Sequence, residues 1–338
     1  ADARQVKLDL LRNRSLAVID DACRDVAEIH DHTLSYVHFA PTEDAATRKL
    51  HSRGDTVGCF YEESPATRSL LRKLDCGDFE TLVAASSIIR PGVSSSGMMG
   101  AYVERHNGAP FAWLHPKMED LLGDTYGVMC YQEDVIKVAH HIAGMSLVDA
   151  DGLRKSMGKK RDFERIDAYR RQFMEGATER GVEPDIAAEL WRQIESFGGY
   201  SFCKAHSASY ALVSFQAAYL RAHYPAELMA AVLSNYGGFY STIAYVSEAM
   251  RLGLEVVGPD VNESRIGWTG VTRPEAVAAA ESLAMGEVTS DELDLPGGWL
   301  GRLRVGLCQV GGLSAEGAER IVDERERRGP FTGFDDLM

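Results

Sequence analysis

The sequence predicts a mainly α fold. Apolar residues recur at helical spacing along most of the chain from Leu10 to Arg251, and only two short segments have the pattern of strands. The composition, 45% hydrophobic and 25% charged among 338 residues, is typical of a globular protein with a sizeable core and two or three domains. No uninterrupted apolar run has the length of a membrane span.

The first element is the end of a strand, because Val6 and Leu8 alternate with Lys7 and Asp9. Helices are predicted over residues 10–29, 42–51, 132–144, 162–178, 184–197 and 208–220. Arg90 begins a polar loop, since the Pro-Gly pair and the serine run that follow it interrupt helices. A second short strand is predicted over residues 254–258.

Charge and cysteine content narrow the class of protein. A net charge of -14 argues against a protein that binds nucleic acid through bulk charge, but it leaves room for a local basic groove. Five basic residues fall within eight positions: Arg154, Lys155, Lys159, Lys160 and Arg161. The alternative is a solvated helix end, where the helix dipole favours cations. The six cysteines form no Cys-x-x-Cys pair, which favours reduced thiols in a cytoplasm over disulfides or a zinc site.

The stretch 198–233 is the most informative segment. A polar loop with Lys204, His206 and Ser207 precedes a helix, residues 208–220, that is apolar on nearly every side. Such a helix is normally buried, so it holds the cationic loop rigidly at a surface, as in phosphate-binding sites. The alternative is a buried helix that follows an ordinary basic loop.

The C-terminal part divides into two segments. Residues 266–301 are rich in Ala, Glu, Asp and Gly and are predicted to be a linker or variable insertion. Residues 302–338 are predicted to form a tight turn and a helix capped by Ser314, in the pattern of a DNA-binding helix-hairpin-helix. Its turn residues, whose backbone N–H groups would approach a phosphate, are Gly311, Gly312, Leu313 and Ser314. A plain helical hairpin is the alternative.

Four blocks occur in an order that resembles the bacterial C-family DNA polymerases, the family of the DNA polymerase III alpha subunit and its error-prone paralogues. They are Gly-Asp-Thr-Val-Gly-Cys-Phe at 54–60 with Glu63-Ser64, Ile-Arg-Pro-Gly at 89–92 with Ser-Gly-Met at 96–98, the segment 125–133 continuing to 153–160, and 198–233. The resemblance covers nearly the whole chain. It implies a palm edge over 1–14, a helical fingers domain over 15–265 and a helix-hairpin-helix over 302–338.

The resemblance also implies site residues. Asp9 matches the third catalytic aspartate, a Mg²⁺ ligand in two-metal phosphoryl transfer to a primer 3′-hydroxyl, and Lys7 would lie beside it. Residues expected to bind the incoming deoxynucleoside triphosphate are Arg90, Arg154, Lys155, Lys159, Lys160, Lys204 and His206. Lys155 departs from the family's Arg-Arg pair. A lysine at this position keeps the positive charge but cannot form the bidentate hydrogen bonds of a guanidinium.

The resemblance implies several partners: primer-template DNA, deoxynucleoside triphosphates, a sliding clamp and other replisome subunits. A non-catalytic DNA-binding or assembly module with the same fold remains an alternative, as does a helical scaffold unrelated to nucleic acid. The segments at the two ends, Ala1 and Met338, lead us to expect a piece of a longer protein. Features of both the replicative and the error-prone type are present, so the sequence leaves that choice open.

We expect the purified 338-residue chain not to extend a primer in the presence of Mg²⁺. The family's other two metal-binding aspartates lie in a Pro-Asp-x-Asp-x-Asp-Phe pattern that this sequence lacks, and one carboxylate cannot neutralise and position two metals. Gel analysis of a labelled primer, with an active polymerase as the positive control, measures this directly. Mg²⁺-dependent extension by the chain alone would falsify the assignment of Asp9 as one ligand of three.

Overall fold

The computed structural model of the chain describes residues 14–35, 38–89, 97–157, 163–196, 202–284 and 300–337. Its α-helices are α1 Arg14–His30, α2 Ala45–Ser52, α3 Pro65–Lys73, α4 Phe79–Ile88, α5 Met98–His106, α6 Met118–Leu122, α7 Gln132–His141, α8 Leu147–Met157, α9 Phe163–Glu179, α10 Pro184–Ser196, α11 Lys204–His223, α12 Pro225–Ser234, α13 Thr242–Arg251, α14 Pro274–Ala284, α15 Ala315–Arg328 and α16 Phe334–Leu337. The strands are β1 Leu254–Val257, β2 Thr269–Thr272 and β3 Gly301–Arg304. The predicted mainly α fold is confirmed.

The three strands form one small sheet in the order β1-β3-β2. β1 runs parallel to β3, whereas β2 runs antiparallel to it with Gly270 opposite Leu303. The sheet lies against α12. A Cβ added at Gly270 would lie 1.9 Å from the carbonyl oxygen of Ala226 in α12, so the close approach of strand and helix requires glycine at this position.

The chain divides into two compact units. The first consists of residues 1–47, 56–63 and 213–338, and the second of residues 48–55 and 64–212. In the first unit α1 and the sheet both pack on α12. Every residue of α12 from Pro225 to Leu233 is buried. In the second unit α7 packs on α8, and α9 packs on both α8 and α10. The predicted burial of the helix after Lys204 is confirmed, since its side chains from Ser214 to Ala218 are all buried.

The buried carboxylate of Glu63 holds two loops of the first unit in place. Its oxygens accept hydrogen bonds from the backbone N–H of Gly58 at 2.8 Å and of Phe239 at 3.1 Å, and from the hydroxyl of Tyr245. Burial raises the pKa of Glu63, and these hydrogen bonds to the charged form oppose the rise. The loop after α12 is therefore tied to the chain before α3.

Two expectations differ from the structure. Residues 269–284 are not a linker, because β2 pairs with β3 and α14 follows with Pro274 at its start. Lys204, His206 and Ser207 do not form a loop but the first turns of α11, because the backbone N–H of Lys204 is capped by the side chain of Glu133. In the described part of the chain the first predicted helix runs from Arg14 to His30.

No helix among the described residues is both long enough and apolar enough to cross a membrane. The predicted strand end with Lys7 and Asp9, the loop that begins at Arg90, and the basic residues Lys159 and Lys160 all lie outside the described residues.

We expect Gly238→Ala to lower the free energy of unfolding by about 3 kcal/mol, from backbone strain together with lost hydrogen bonds. Gly238 has a φ of +99°, and an added Cβ would lie 1.9 Å from the hydroxyl oxygen of Tyr245, which must then leave Glu63. Urea unfolding measures the loss. The control is Gly312→Ala, because Gly312 also has a positive φ, +85°, but has no atom within 4 Å of the added Cβ. Equal losses in the two variants would contradict the proposed role of the contact.

We expect Asp25→Asn to flatten the pH dependence of stability between about pH 4 and pH 6. Burial raises the pKa of Asp25 to about 6; Arg265 opposes the rise, and Glu28, Asp21 and Glu227 add to it by repulsion. Because the folded pKa lies above the unfolded value, the folded protein retains a proton that the unfolded chain releases in this window. The contribution of that bound proton to the free energy of unfolding is lost as the pH rises through this window. Thermal midpoints of the two proteins across the window provide the test, and parallel curves would contradict the prediction.

Candidate functional site

The turn before α7 is fixed by a buried carboxylate in the second unit. One oxygen of Asp134 accepts hydrogen bonds from the backbone N–H groups of Cys130 and Tyr131, each at 2.9 Å. The Asp134 side chain is 2% exposed, and burial raises its pKa while the two backbone hydrogen bonds and Lys137 oppose the rise. The backbone at residues 130–134 is therefore held rigidly.

Three successive residues of this turn contact the elements that carry the predicted phosphate-binding cations. Gln132 accepts a hydrogen bond from a guanidinium nitrogen of Arg154 at 2.8 Å. The ring of Tyr131 lies 5.6 Å from the ammonium of Lys204, and the carboxylate of Glu133 accepts the backbone N–H of Lys204 at 3.1 Å. The end of α8 and the start of α11 thus meet at one turn, which we call the 131–133 turn.

Arg154 and Lys155 share a single carboxylate at the end of α8. Asp151 accepts from Arg154 at 2.8 and 2.9 Å and pairs with Lys155 at 2.6 Å. Hydrogen bonds from Lys155 and Arg154 hold the pKa of Asp151 below its usual value. The Lys155 side chain is 64% exposed, so water screens its ion pair and an incoming anion can displace it.

Lys204 has a comparable partner in Glu80, at 3.1 Å. Glu80 lies in the first turn of α4, which the side chain of Asp78 caps. Ser207, one turn along α11, is hydrogen-bonded to Ser87 of α4 at 2.7 Å in the interior. The two helices are therefore joined by a buried contact beside an exposed ion pair.

His206 is half-buried within an aromatic cluster. Its ring centroid lies 4.2 Å from those of Phe202 and Tyr210. The cluster restrains the imidazole at the start of α11, on the same helical turn as Lys204. The carbonyl of Phe202 also accepts the backbone N–H of Gln132 at 3.1 Å, so the cluster is attached to the 131–133 turn.

The structure thus connects Arg154, Lys155, Lys204 and His206 to a single turn. Sequence reasoning missed the residues that hold them, namely Tyr131, Gln132, Glu133, Asp151 and Glu80. The signal for the first three was available, because they fall within the quoted segment 125–133, to which no role was given.

The hairpin near the C-terminus has the predicted local structure. The backbone N–H of Leu313 donates to the carbonyl of Val310 at 3.1 Å and closes the turn, and Ser314 caps α15 by accepting the N–H of Gly317 at 3.0 Å. No atom lies within 4 Å of a Cβ added at Gly311 or Gly312, so the backbone at both positions is accessible. A single 3₁₀ turn, Leu307–Gln309, precedes the hairpin.

A magnesium site is not formed by the part of the chain that the structure describes. No group of three or more His, Cys, Asp or Glu side chains there could hold a metal ion. Asp9, the predicted ligand, lies outside the described residues.

Comparison with known proteins identifies the family of the chain. A family model for the bacterial DNA polymerase III alpha subunit finger domain matches residues 15–181, and a helix-hairpin-helix model matches residues 253–338. The DNA polymerase III subunit alpha of Thermus aquaticus is 35% identical over 340 residues, covering 98% of this chain and 25% of that protein. The error-prone DNA polymerase of Symbiobacterium thermophilum is 34% identical over 339 residues, covering 100% of this chain and 30% of that protein.

The helical fold and the two family models define a polymerase fingers region followed by a helix-hairpin-helix. The chain belongs to the family of the bacterial DNA polymerase III alpha subunits and error-prone DNA polymerases. It spans between a quarter and three-tenths of the length of these relatives.

Proposed function

We propose that this chain supplies the fingers nucleotide site of a template-directed DNA polymerase. The observation that carries the proposal is the attachment of both Arg154 and Lys204 to the 131–133 turn, which the buried Asp134 keeps rigid. Two cation-bearing helix ends on one rigid turn suit an extended polyanion, and the triphosphate of an incoming deoxynucleotide is such a ligand.

Binding proceeds by exchange of anions. In the protein without ligand, Asp151 and Glu80 neutralise the cations, and phosphate oxygens take their places when the triphosphate binds. Gln132 holds the guanidinium of Arg154 and keeps it oriented during the exchange. Lys155 contributes a point charge where an arginine would form a fork, so its contact adds charge with little directional preference. His206, restrained by its aromatic neighbours, supplies a ring nitrogen beside Lys204.

For the whole polymerase, we propose addition of deoxynucleotides to a primer 3′-hydroxyl, with Lys7 and Asp9 at the reacting end. The family generally uses Mg²⁺, and its binding remains a prediction for Asp9 together with carboxylates that this sequence does not contain. The described residues contain no group of three or more His, Cys, Asp or Glu side chains that could hold a metal ion. Arg90, Lys159 and Lys160 are proposed to join the phosphate contacts.

The hairpin is proposed to bind the phosphates of primer-template DNA through Gly311, Gly312, Leu313 and Ser314. A sliding clamp and other replisome subunits remain predicted partners. This sequence lacks the Pro-Asp-x-Asp-x-Asp-Phe pattern with the family's other two catalytic aspartates, and one alternative therefore stays open, a DNA-binding or assembly module that does no chemistry of its own. The two functions share every contact described above and differ in whether Asp9 meets partner carboxylates.

We expect Arg154→Ala and Lys204→Ala each to weaken binding of a deoxynucleoside triphosphate to the chain by about tenfold, since hydrogen bonds to charged groups contribute about 1.5–3 kcal/mol. Glu80→Gln should strengthen it, because the competing carboxylate charge is removed. Isothermal titration at low salt measures the affinities. The control is Arg171→Ala, an exposed arginine in α9 that pairs with Asp167 in the same helix. Equal effects of all three alanine variants would refute a local site.

A further inference from the structure

The segment between α12 and α13 presents two large aromatic side chains to solvent. Tyr236 is 60% exposed and Phe239 is 64% exposed. Leaving two such rings in water forgoes a large part of the stabilisation that their burial would give. An aromatic pair kept at the surface is the arrangement expected of a binding surface.

The backbone that carries Phe239 is rigid. Its N–H donates both to the carboxylate of Glu63 at 3.1 Å and to the hydroxyl of Tyr245 at 2.7 Å. The next residue, Tyr240, donates its N–H to Tyr245 at 3.2 Å and its hydroxyl to the carbonyl of Glu63 at 3.0 Å. The ring of Phe239 stands edge-on to Tyr240 at 5.0 Å. A ring held in this way loses little conformational entropy when a ligand stacks on it.

Tyr236 is hydrogen-bonded through its hydroxyl to the hairpin element and through its backbone carbonyl to a cation. The hydroxyl of Tyr236 accepts a hydrogen bond from Gln309 at 3.3 Å, and Gln309 ends the 3₁₀ turn that leads into the hairpin at 310–314. Arg14, an exposed residue at the start of α1, donates to the carbonyl of Tyr236 at 3.2 Å. The aromatic pair is therefore continuous with the helix-hairpin-helix within one compact unit.

We propose that Tyr236 and Phe239 form a stacking platform for unpaired bases of single-stranded DNA, next to the hairpin. Every base has a π-face, so stacking on exposed aromatic rings binds single strands without sequence preference. Arg14 is positioned for a phosphate of the same strand. The net charge of -14 limits what bulk attraction can contribute, so stacking carries a large share of the affinity. This platform is separate from the proposed nucleotide site and does not depend on it.

A protein partner would make different use of the same surface. Ile243 and Met250 lie on one face of α13 and are 78% and 54% exposed, which would extend an apolar docking face for a protein. Unpaired bases gain little from these aliphatic side chains. Ile243→Ala is therefore the matched control, because it removes an apolar group that is even more exposed than Phe239 but has no ring.

The test is fluorescence anisotropy of a labelled short oligothymidylate with the whole chain at low salt. We expect Phe239→Ala to weaken binding by about tenfold, since base–aromatic stacking contributes about 1–3 kcal/mol per base. Phe239→Trp should restore binding and add tryptophan quenching on titration with the oligomer. Ile243→Ala should leave the affinity unchanged. Phe239→Leu keeps the apolar bulk, so weak binding by this variant assigns the loss to the missing ring and not to a disturbed fold.

An abasic oligomer of the same length separates stacking from phosphate contacts. We expect the Phe239→Ala variant and the wild-type protein to have the same affinity for this abasic oligomer. The proposal is overturned if the wild-type chain shows no affinity for oligothymidylate, if the abasic oligomer reports the same loss, or if Ile243→Ala is as weak as Phe239→Ala. A chain that binds the oligomer as expected but no triphosphate would refute the nucleotide site and leave the platform standing.

Discussion

In each of the two units, a buried carboxylate that accepts hydrogen bonds from backbone N–H groups fixes the loop or turn on which a proposed binding site depends. Asp134 does so for the turn that holds Arg154 and Lys204, and Glu63 does so for the loop that carries Phe239. In both cases burial raises the carboxyl pKa and the hydrogen bonds to the charged form oppose the rise, so the ionisation of the carboxyl group is coupled to the conformation of the loop. Moving either loop would leave a buried carboxylate without its partners, which is far more costly than losing an exposed contact.

Rigid turns of this kind let exposed cations act selectively. The ion pairs of Lys204 with Glu80 and of Lys155 with Asp151 are open to water, so an anion of higher charge can replace the carboxylates. The cations have contacts besides those pairs, because Gln132 accepts a hydrogen bond from the guanidinium of Arg154 and Glu133 accepts the backbone N–H of Lys204. Exchange of the anion therefore does not require the site to be rebuilt. The contacts of Gln132 and Glu133 are thus distinct from the carboxylates that the anion replaces, and the proposed nucleotide binding depends on this difference.

Most of the helices could be predicted from the sequence, but the contacts that position the candidate site could not. Helical periodicity located the amphipathic helices, and the polar cap and terminal glycine of α15 were recognisable because both act within a few residues. The start of α11 was missed because its cap, Glu133, lies 71 residues away in the chain. The composition of residues 266–301 predicts a linker where β2 lies, because the strand with which β2 pairs in the described part of the chain, β3, lies on the far side of a compositionally biased segment. Arg154 and Lys204 were found by family resemblance, whereas Gln132 acquires its role only when α7 meets α8.

The acidic net charge and the proposed binding of polyanions are compatible because the contacts are local. At physiological ionic strength the field of an exposed charge is screened within about 8 Å, so a remote carboxylate matters less to a bound phosphate than the cation that touches it. The basic side chains of α8 and α11 lie beside one turn, while the proposed platform binds through ring faces that carry no charge. An overall negative chain also repels nucleic acid that cannot make these contacts, which disfavours non-specific association. The acidic composition is therefore expected to add selectivity to the proposed binding, which rests on local contacts.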